Sequence, residues 1–258
     1  MKNMGIVIPA HNEEKRIEPT IVSYSQFFEK LEKLGLLKYE ILIVINGTTD
    51  GTEKIVKKYS SKNKNIKYLN LVRGGKGYAV IEGFKYYLER NFDLIGFVDG
   101  DLATSPEEYY EIIKEAEITD GAIADRYLPK SVISPKPSVK RLVARRTFNF
   151  LIRSLLLIPF GDTQCGAKVF KKRALGAVIQ KLNMSQWAFD VELLYNLHKR
   201  GFDIKRIPTK WRDKEYSKIN FWKAGPWMAL GVVRLRILNS PLRRFVKIYD
   251  KFVRFMPK

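Results

Sequence analysis

Short apolar runs alternate with longer amphipathic stretches along the first half of the chain. The runs that have the length and boundaries of strands are residues 5–9, 40–45, 66–71, 94–98 and 121–124. The stretches between them predict helices that end near Leu34, Tyr59 and Arg90, and a fourth helix that begins at Pro106. Continuous apolar runs are typical of strands buried on both faces. The alternation therefore predicts an α/β fold with a right-handed, mostly parallel central sheet flanked by helices.

The second half of the chain mixes strands with long basic helices. A turn that begins at Asp162 predicts a strand as far as Phe170, and residues 204–208 predict the last strand. A helix is predicted to open at Trp187, and longer helices are predicted over residues 139–158, 221–238 and 242–255. The proline-bearing stretch 129–137 predicts a flexible loop.

Two carboxylates mark the end of the fourth predicted strand. Asp99 and Asp101 follow its apolar run, and Ser105 and Pro106 then supply an N-cap and a first-turn proline for the next helix. Ligands of open α/β sheets bind outside the carboxyl ends of the strands. Mg²⁺ is usually held by one or two carboxylates plus substrate phosphates. The pair is therefore either a divalent-cation site or, on the simpler interpretation, a set of acids that cap a turn and a helix.

A glycine loop follows the third predicted strand at the same edge. Residues 73–77 read Arg-Gly-Gly-Lys-Gly, which offers a phosphate both close backbone approach and the charge of Lys76. The loop has the spacing of neither a Walker A loop nor a dinucleotide fingerprint, so a plain turn is the alternative. Its position at the same edge as Asp99 favours the phosphate interpretation.

Composition excludes several classes of protein. The single cysteine, Cys165, excludes an intrachain disulfide, and with only two histidines beside it a structural zinc site is not expected. The first residues run into a strand without a signal-peptide pattern. No apolar run approaches the roughly 18 residues of a membrane-spanning helix. We therefore expect a cytoplasmic protein without a transmembrane helix.

The positive charge is confined to the second half of the chain. Residues 1–126 hold 18 Lys/Arg and 20 Asp/Glu, whereas residues 127–258 hold 29 and 7, a net charge of +22. Such asymmetry indicates nucleic acid, an anionic membrane surface or a phosphorylated ligand as the partner. No helix-turn-helix, zinc or RNP-like pattern is present, so we expect no nucleic-acid partner.

The long basic helices have two interpretations each. The helix over residues 139–158 is either a core helix with snorkelling arginines or an interfacial helix beside a phosphorylated substrate. The two helices over residues 221–238 and 242–255 are of the kind that lies on an anionic membrane, while a docking face for a second copy or a membrane-protein partner is the alternative.

Taken in order, the motifs resemble those of the GT-A glycosyltransferases of family 2, and more narrowly those of the polyprenyl-phosphate sugar synthases. Residues 8–13, Ile-Pro-Ala-His-Asn-Glu, are similar to the first family motif, and Asp99-Gly100-Asp101 is similar to the family's D-x-D. Residues 162–170 and 187–193, with the glycine loop, resemble the dolichyl-phosphate glucose synthases. The spacing of Arg212 from Ser217 and Lys218 resembles the dolichyl-phosphate mannose synthases.

The resemblance implies a Rossmann-like GT-A fold and a division of the chain. Residues 1–220 would form the glycosyltransferase domain, with a nucleotide-sugar half over 1–126 and an acceptor half over 127–220. Residues 221–258 would form basic amphipathic helices that associate with the inner face of the membrane. The implied reaction is metal-dependent and inverts the configuration of the anomeric carbon.

The resemblance also assigns roles to individual residues. The nucleotide-sugar contacts are Pro9, His11, Glu13, Val44, Asn46, Lys76, Asp99, Gly100 and Asp101. A divalent cation, Mg²⁺ or Mn²⁺, falls on Asp101 and Asp99. The contacts with the acceptor phosphate or the diphosphate are Arg126, Arg141, Arg145, Arg212, Ser217 and Lys218. Asp101 and Asp190 are the catalytic candidates, and Asp190 is a base, an acceptor positioner or a helix-cap acid.

One motif departs from the family pattern. The second family motif normally reads Val-Asp-Asp-Gly-Ser, and here it reads Val44-Ile45-Asn46-Gly47-Thr48. Asn46 replaces the acid expected to accept a hydrogen bond from the base. Because an amide both donates and accepts, nucleotide binding is compatible with the change, but the identity of the base is left open.

The expected reaction moves glucose from UDP-glucose to a polyprenyl or dolichyl phosphate. A phosphate monoester is largely anionic at neutral pH, so such an acceptor needs cations more than it needs a base. A GDP-mannose-using dolichyl-phosphate mannose synthase and a family 2 transferase that acts on a sugar hydroxyl are the alternatives, together with a nucleotide-sugar sensor that has lost turnover. A hydroxyl acceptor requires a general base, for which Asp190 is the candidate.

Overall fold

A seven-stranded sheet organises the chain, and the computed structural model describes it within residues 1–182, 188–212 and 221–249. For residues 140, 141, 144, 145 and 221–228 the description is limited to the backbone. The strands of the sheet are β1 (Lys2–Ala10), β2 (Leu37–Asn46), β3 (Ile66–Leu71), β4 (Leu94–Val98), β5 (Gly121–Asp125), β7 (Ala167–Lys171) and β8 (Ile204–Pro208). A separate pair is formed by β6 (Val132–Ser134) and β9 (Lys210–Arg212).

The sheet has the order β3-β2-β1-β4-β7-β5-β8. Its strands pair in parallel except β7, which runs antiparallel to both β4 and β5. The mostly parallel sheet predicted from the sequence is therefore confirmed. The antiparallel direction of β7 places a strand of the second half of the chain inside the sheet, between two strands of the first half.

Helices cover both faces of this sheet. They are α1 (Ile17–Lys33), α2 (Thr52–Ser60), α3 (Lys76–Leu88), α4 (Pro106–Ile118), α5 (Val139–Leu156), α6 (Lys172–Val178), α7 (Phe189–Lys199) and α8 (Phe221–Leu238). Along β1, Val7 belongs to the core on one face and Ile6 and Ile8 to the core on the other, as the period of a strand requires. Burial on both faces explains why the strands are continuous apolar runs.

Three predictions about the second half need correction. The stretch 129–137 is not wholly a flexible loop, because β6 pairs in parallel with β9. Helix α5 stops at Leu156 rather than at residue 158, since Leu157 adopts a left-handed backbone with φ 54°. The helix predicted from residue 242 begins instead as a 3-10 helix, Pro241–Phe245, and continues as a helix over 246–249. Residues 250–255 lie outside the described part of the chain.

Among the residues that the structure describes, none of the helices combines the length and the hydrophobicity that a bilayer crossing requires.

Candidate active site

The carboxyl ends of β1, β2 and β4 meet at one edge of the sheet. Pro9 is the register partner of Val44, and a Cβ placed on Gly100 would lie 3.3 Å from the carbonyl oxygen of Pro9. The first motif and the Asp99–Asp101 loop are therefore direct neighbours. Val44, predicted as a nucleotide contact, has its side chain fully buried in the core, and a contact from it stays a prediction.

Asn46 links the three polar segments at this edge. Its Nδ2 donates to the carbonyl oxygen of Ala10 at 3.0 Å, and its Oδ1 accepts from the backbone N–H of Gly75 at 3.0 Å. The Nδ1 of His11 lies 2.7 Å from the carbonyl oxygen of Asn46, so Nδ1 carries the proton and donates it to this bond. Both ends of the buried Asn46 amide are thus used within the protein, where a carboxylate would lack the donor.

The first-motif loop is held by a second set of hydrogen bonds. Asn12 has φ 53°, and its Oδ1 accepts from the backbone N–H of Thr49 at 2.8 Å. Glu13 forms a two-pronged ion pair with Arg16, in which Nε and Nη2 donate at 2.7 and 2.6 Å. A nucleotide contact from Glu13 would therefore be made by a carboxylate that is already fixed in orientation.

Lys76 and Asp99 join the glycine loop to the end of β4. The Nζ of Lys76 lies 2.6 Å from Asp99 Oδ1. Gly75, the residue before Lys76, has φ 130°, which favours glycine and sets the start of α3. Burial by itself would lower the pKa of Lys76, but the carboxylates of Asp99, Asp190 and Asp101 outweigh it and hold that pKa above its ordinary value. Lys76 is therefore the cation around which three predicted site acids gather.

Asp101 lies in a tight turn between β4 and α4. Its Oδ1 accepts from the backbone N–H of Ala103 at 3.0 Å, and Leu102 between them has a positive φ of 58°. Burial, and then the neighbouring charge of Asp99, raise the pKa of Asp101. Ser105 caps α4 through its side chain, with Pro106 in the first turn, as the sequence predicts. Ser105 thus caps α4, while Asp101 caps the turn with one of its two oxygens.

These two acids suit a cation that binds together with a substrate. Among the described residues, no group of three or more His, Cys, Asp or Glu side chains is placed to hold a metal by itself. Two carboxylates one residue apart, at the carboxyl end of β4, fit Mg²⁺ or Mn²⁺. These ions complete their coordination with phosphate oxygens and water. Asp101 and Asp99 are the residues that would hold it.

Asp190 lies at the start of α7 and pairs with a buried lysine. The Nζ of Lys168, on β7, donates to Asp190 Oδ1 at 2.5 Å and to the carbonyl oxygen of Cys165 at 2.7 Å. The Lys168 side chain is fully buried. Both Lys76 and Lys168 lie over the ring of Phe97, at 5.5 and 5.0 Å from its centroid. Asp190 therefore has an ion-pair partner of its own inside the protein, and its role in the site stays a prediction.

Arg126, predicted as a phosphate ligand, is already paired. Its Nε and Nη2 donate to the two carboxylate oxygens of Asp162 at 2.6 and 2.9 Å, and its guanidinium lies over Trp211 at 4.9 Å. Burial would raise the pKa of Asp162, but Arg126 outweighs it and holds that pKa below the ordinary carboxyl value. Arg126 thus organises the end of β5, and a phosphate contact from it stays a prediction.

Arg212 reaches the site through the backbone. Its N–H donates to the carbonyl oxygen of Ala103 at 2.9 Å, which joins β9 to the turn that holds Asp101. Its side chain is exposed beside α1 and the start of α4, where it lines a cavity of about 430 Å³ with Ser23 and Glu107. The backbone of Arg212 is therefore next to the turn of Asp101, while its side chain lies between α1 and the start of α4.

The side chains of the other predicted acceptor contacts lie outside the described part of the chain. The side chains of Arg141 and Arg145 belong to the part of α5 for which only the backbone is described, and Trp187, Ser217 and Lys218 lie outside the described residues.

Sequence reasoning missed three residues of this edge. Lys168 was noted only as part of a motif, although a lysine inside the apolar run Ala-Lys-Val-Phe is a signal of a buried partner acid. Arg16 follows Glu13 by three residues, a spacing that brings side chains together on a helical turn. Gly166, whose backbone oxygen accepts from the N–H of Asp99 at 2.9 Å, gives no signal of this contact in the sequence.

Helix α5 has an exposed face as well as a buried one. Phe148 and Ile152 pack in the core, whereas side chains at intervals of three and four residues lie in solvent on the other side: Val139, Val143, Arg146, Phe150 and Arg153, followed by Leu157 just after the end of the helix. Phe150 and Leu157 are each 72% exposed. The 3-10 helix after α8 likewise exposes Leu242 and Phe245 beside Arg243 and Arg244. The buried face fits the core interpretation, while the interfacial interpretation of the exposed face stays a prediction.

Comparison with known proteins identifies relatives over most of the chain. The family model for Glycosyl transferase family 2 matches residues 5–179. The dolichyl-phosphate beta-glucosyltransferase of Dictyostelium discoideum is 30% identical over 248 residues, which cover 90% of this chain and 73% of that protein. The protein of the same name from Homo sapiens is 30% identical over 261 residues, which cover 94% of this chain and 78% of that protein.

Solved structures share the fold. Glucosyl-3-phosphoglycerate synthase from Mycobacterium tuberculosis, in complex with UDP, superposes with a TM-score of 0.65 at 20% identity, covering 92% of this chain and 79% of that one. The same enzyme in complex with Mn²⁺, UDP-glucose and phosphoglyceric acid gives a TM-score of 0.61 at 19% identity, with the same coverage.

Proposed function

Because the chain belongs to glycosyl transferase family 2 and has the GT-A fold, we propose that it transfers glucose from UDP-glucose to a polyprenyl or dolichyl phosphate. The observation that carries the proposal is that Lys76 pairs with Asp99 and Lys168 pairs with Asp190, while both lysines lie over the ring of Phe97. This arrangement brings an acid predicted for the donor and the acid predicted for the acceptor close together. The names of the relatives from Dictyostelium discoideum and Homo sapiens support the acceptor and the sugar.

The donor would bind across the ends of β1, β2 and β4. His11 and Glu13 come from the first motif, and the hydrogen bonds of Asn46 fix the glycine loop below them. Lys76 has a short ion pair with Asp99, so an incoming diphosphate would compete for its ammonium. Asp101 and Asp99 would hold the divalent cation, which stabilises the charge of the leaving nucleoside diphosphate when bound. Binding the donor in this way leaves the opposite side of the anomeric carbon open to the acceptor.

The acceptor phosphate would approach from the side of β5, α7 and β9. A phosphate oxygen attacks the anomeric carbon, and the bond to the UDP oxygen breaks, so that the configuration inverts. The attacking oxygen already carries negative charge near pH 7, and no proton must be removed from it. Arg212, whose backbone is bonded to the turn of Asp101, is the residue that we propose to hold this anion.

A lipid-linked acceptor requires contact with a membrane. The exposed face of α5 combines aliphatic and aromatic side chains with Arg146 and Arg153, which suits the boundary of an anionic leaflet. Each basic side chain near such a surface contributes on the order of 1 kcal/mol. We assign the membrane-contacting surface to this face and to the 3-10 helix Pro241–Phe245.

The proposal is tested by a product assay. The protein is incubated with Mn²⁺ or Mg²⁺, a polyprenyl phosphate, and UDP-glucose or GDP-mannose in turn, and the organic phase is analysed for lipid-phosphate-sugar. We expect product with UDP-glucose, lost with a chelator and in Asp101→Ala, and kept in Asp203→Ala, whose side chain is 61% exposed. Product with GDP-mannose and none with UDP-glucose would show that GDP-mannose is the donor. Nucleotide binding without any lipid product would overturn the acceptor and favour a sugar hydroxyl or a sensor.

A further inference from the structure

The ion pair of Asp190 and Lys168 is built from two elements that meet only in the folded chain. Lys168 lies in the middle of β7, where it is the register partner of Phe97 on β4 and of Ile123 on β5. Asp190 lies in the first turn of α7 and is itself largely buried. The ammonium therefore comes from the sheet and the carboxylate from a helix packed against one face of it.

The surroundings of Lys168 direct its ammonium at one carboxylate. Of its three N–H donors, one goes to Asp190 Oδ1 and one to the carbonyl oxygen of Cys165, and the ring of Phe97 lies under the charge at 5.0 Å. Asp190 is the carboxylate with which Lys168 forms an ion pair in the described part of the chain. A buried ammonium that lost this anion would be left without a counter-charge, which is strongly destabilising.

We infer that Lys168 is a positioning residue that fixes the direction of the Asp190 carboxylate, so that Asp190 orients the acceptor side of the site rather than serving as a general base. One oxygen of this carboxylate, Oδ1, is already held by the buried ammonium of Lys168. The inference rests on the proposed function, whose phosphate acceptor needs no base. Of the three roles of Asp190, it favours that of an acceptor positioner.

Lys76 gives the arrangement its second side. It feels the charge of Asp190 but pairs directly with Asp99. The two lysines, both over Phe97, therefore hold two carboxylates in fixed places, one on the donor side and one on the acceptor side. If Asp190 turned away from Lys168, the carboxylate on the acceptor side would no longer be held in place.

The test is a double-variant cycle of Lys168→Met and Asp190→Asn, measured in the product assay and in urea unfolding. We expect Asp190→Asn to lower kcat by about 10- to 100-fold and to leave the dissociation constant of UDP unchanged, because shape and one acceptor oxygen remain. A general base predicts a loss at least 100 times larger, and that result would overturn the inference. Lys168→Met should lower kcat to the same level, and the double variant should lose no more than either single one.

Unfolding supplies a readout that does not depend on turnover. Lys168→Met should raise the equilibrium constant for unfolding by about 100-fold or more, because it leaves the Asp190 carboxylate without a counter-charge. Adding Asp190→Asn to this variant should restore part of the lost stability. Lys205→Met, at an exposed lysine of β8, is the matched control and should change neither measurement. If the wild-type protein makes no lipid product, the proposed function fails, while the unfolding cycle still decides whether the two residues are coupled. If Lys168→Met does not fold, the double variant is compared with Asp190→Asn alone. A kcat more than tenfold lower in the double variant than in Asp190→Asn would overturn the inference.

Discussion

The backbone of Asp99 is bonded to Gly166, and the side chain of Asp99 fills the space that a side chain on Gly166 would need. The N–H of Asp99 donates to the Gly166 carbonyl at 2.9 Å, and a Cβ on Gly166 would stand 1.9 Å from Asp99 Oδ2. The turn before β7 is therefore a wall of the proposed metal site. Glycine is required there for space, since its φ is not in the left-handed region.

Gly166→Ala should displace the Asp99 carboxylate. We expect the metal-dependent binding of UDP to weaken at least about tenfold, because one of two carboxylates moves away from the cation. Isothermal titration with UDP and Mn²⁺ measures this. Gly176→Ala, in α6, is the control, since a Cβ there would meet only Leu88 at 3.8 Å. Equal binding by both variants would show that Asp99 does not contribute to the site.

The Arg126–Asp162 pair should make stability depend on pH in one direction. The pKa of Asp162 is held below its ordinary value, so its ionised form stabilises the fold above the ordinary carboxyl pKa of about 3.9, and this contribution is lost as pH falls toward the lowered value. Arg126→Met should cost about 3–5 kcal/mol near pH 7 by leaving a buried charge unpaired. Urea unfolding between pH 7 and pH 3 measures both effects.

Two controls separate this pair from ordinary surface charges. The double variant Arg126→Met with Asp162→Asn should unfold with a weaker pH dependence than the wild type. Lys114→Met, at an exposed ion pair with Glu111, should leave stability unchanged. A pH profile of the double variant identical to that of the wild type would contradict the assignment.

The Cys165 thiol should be inert in the folded protein. Burial raises its pKa to about 12, so almost none of it is thiolate at pH 8. We expect a thiol reagent to label the protein only as fast as it unfolds, and to label it at once in urea. Because the chain has one cysteine, the label reports a single site. Fast labelling of the folded protein at pH 8 would show that this buried region opens.

Membrane binding should depend on the exposed face of α5. Burying an aromatic or aliphatic side chain contributes about 1.5–3 kcal/mol, so Phe150→Glu with Leu157→Glu should weaken binding to anionic vesicles by at least about tenfold. Flotation with anionic and with neutral vesicles measures it. Ile118→Glu, at an apolar residue of α4 that is 77% exposed, is the control and should bind normally. Equal losses in both variants would remove α5 as the contact surface.

Asn46→Asp should destabilise the protein although the family pattern has an acid there. The variant loses the donor to Ala10 and sets a carboxylate against the carbonyl oxygens of Ala10 and Val44, at a cost of about 1–3 kcal/mol. Urea unfolding and UDP titration of the variant measure the two effects. Asn91→Asp, at an exposed asparagine, is the control. Unchanged stability with tighter UDP binding would mean that this side chain serves the base instead.

The periodicity of the sequence was sufficient for the order of elements but not for all pairings. The strand Leu94–Val98 and the cap at Ser105 depend on local pattern, and both are confirmed. The direction of β7 depends on which strands it meets, and an apolar run carries no sign of direction. The pairing of β6 with β9 joins segments almost 80 residues apart, and no spacing in the sequence indicates it.

The site shows the same limit at the level of single residues. Asp99 and Asp101 could be singled out because they follow a predicted strand, although acids at that position also suit the capping of a turn. The contacts of Asn46 with Ala10 and Gly75, and of Lys168 with Asp190, join side chains that only the fold brings together. The motifs therefore located the edge of the sheet, while the partners that fix its charges required the structure.

Strand β7 has a mechanical consequence for the proposed donor and acceptor halves. Strand β7 is hydrogen-bonded to β4 on one side and to β5 on the other. The halves over residues 1–126 and 127–220 therefore share one continuous sheet and cannot move apart about a hinge. Substrate entry and product exit must then be accommodated by the segments above the sheet edge, with the sheet itself as a rigid floor. Separating the halves would leave each with a strand whose backbone N–H and C=O groups are unpaired, so we regard them as one folding unit.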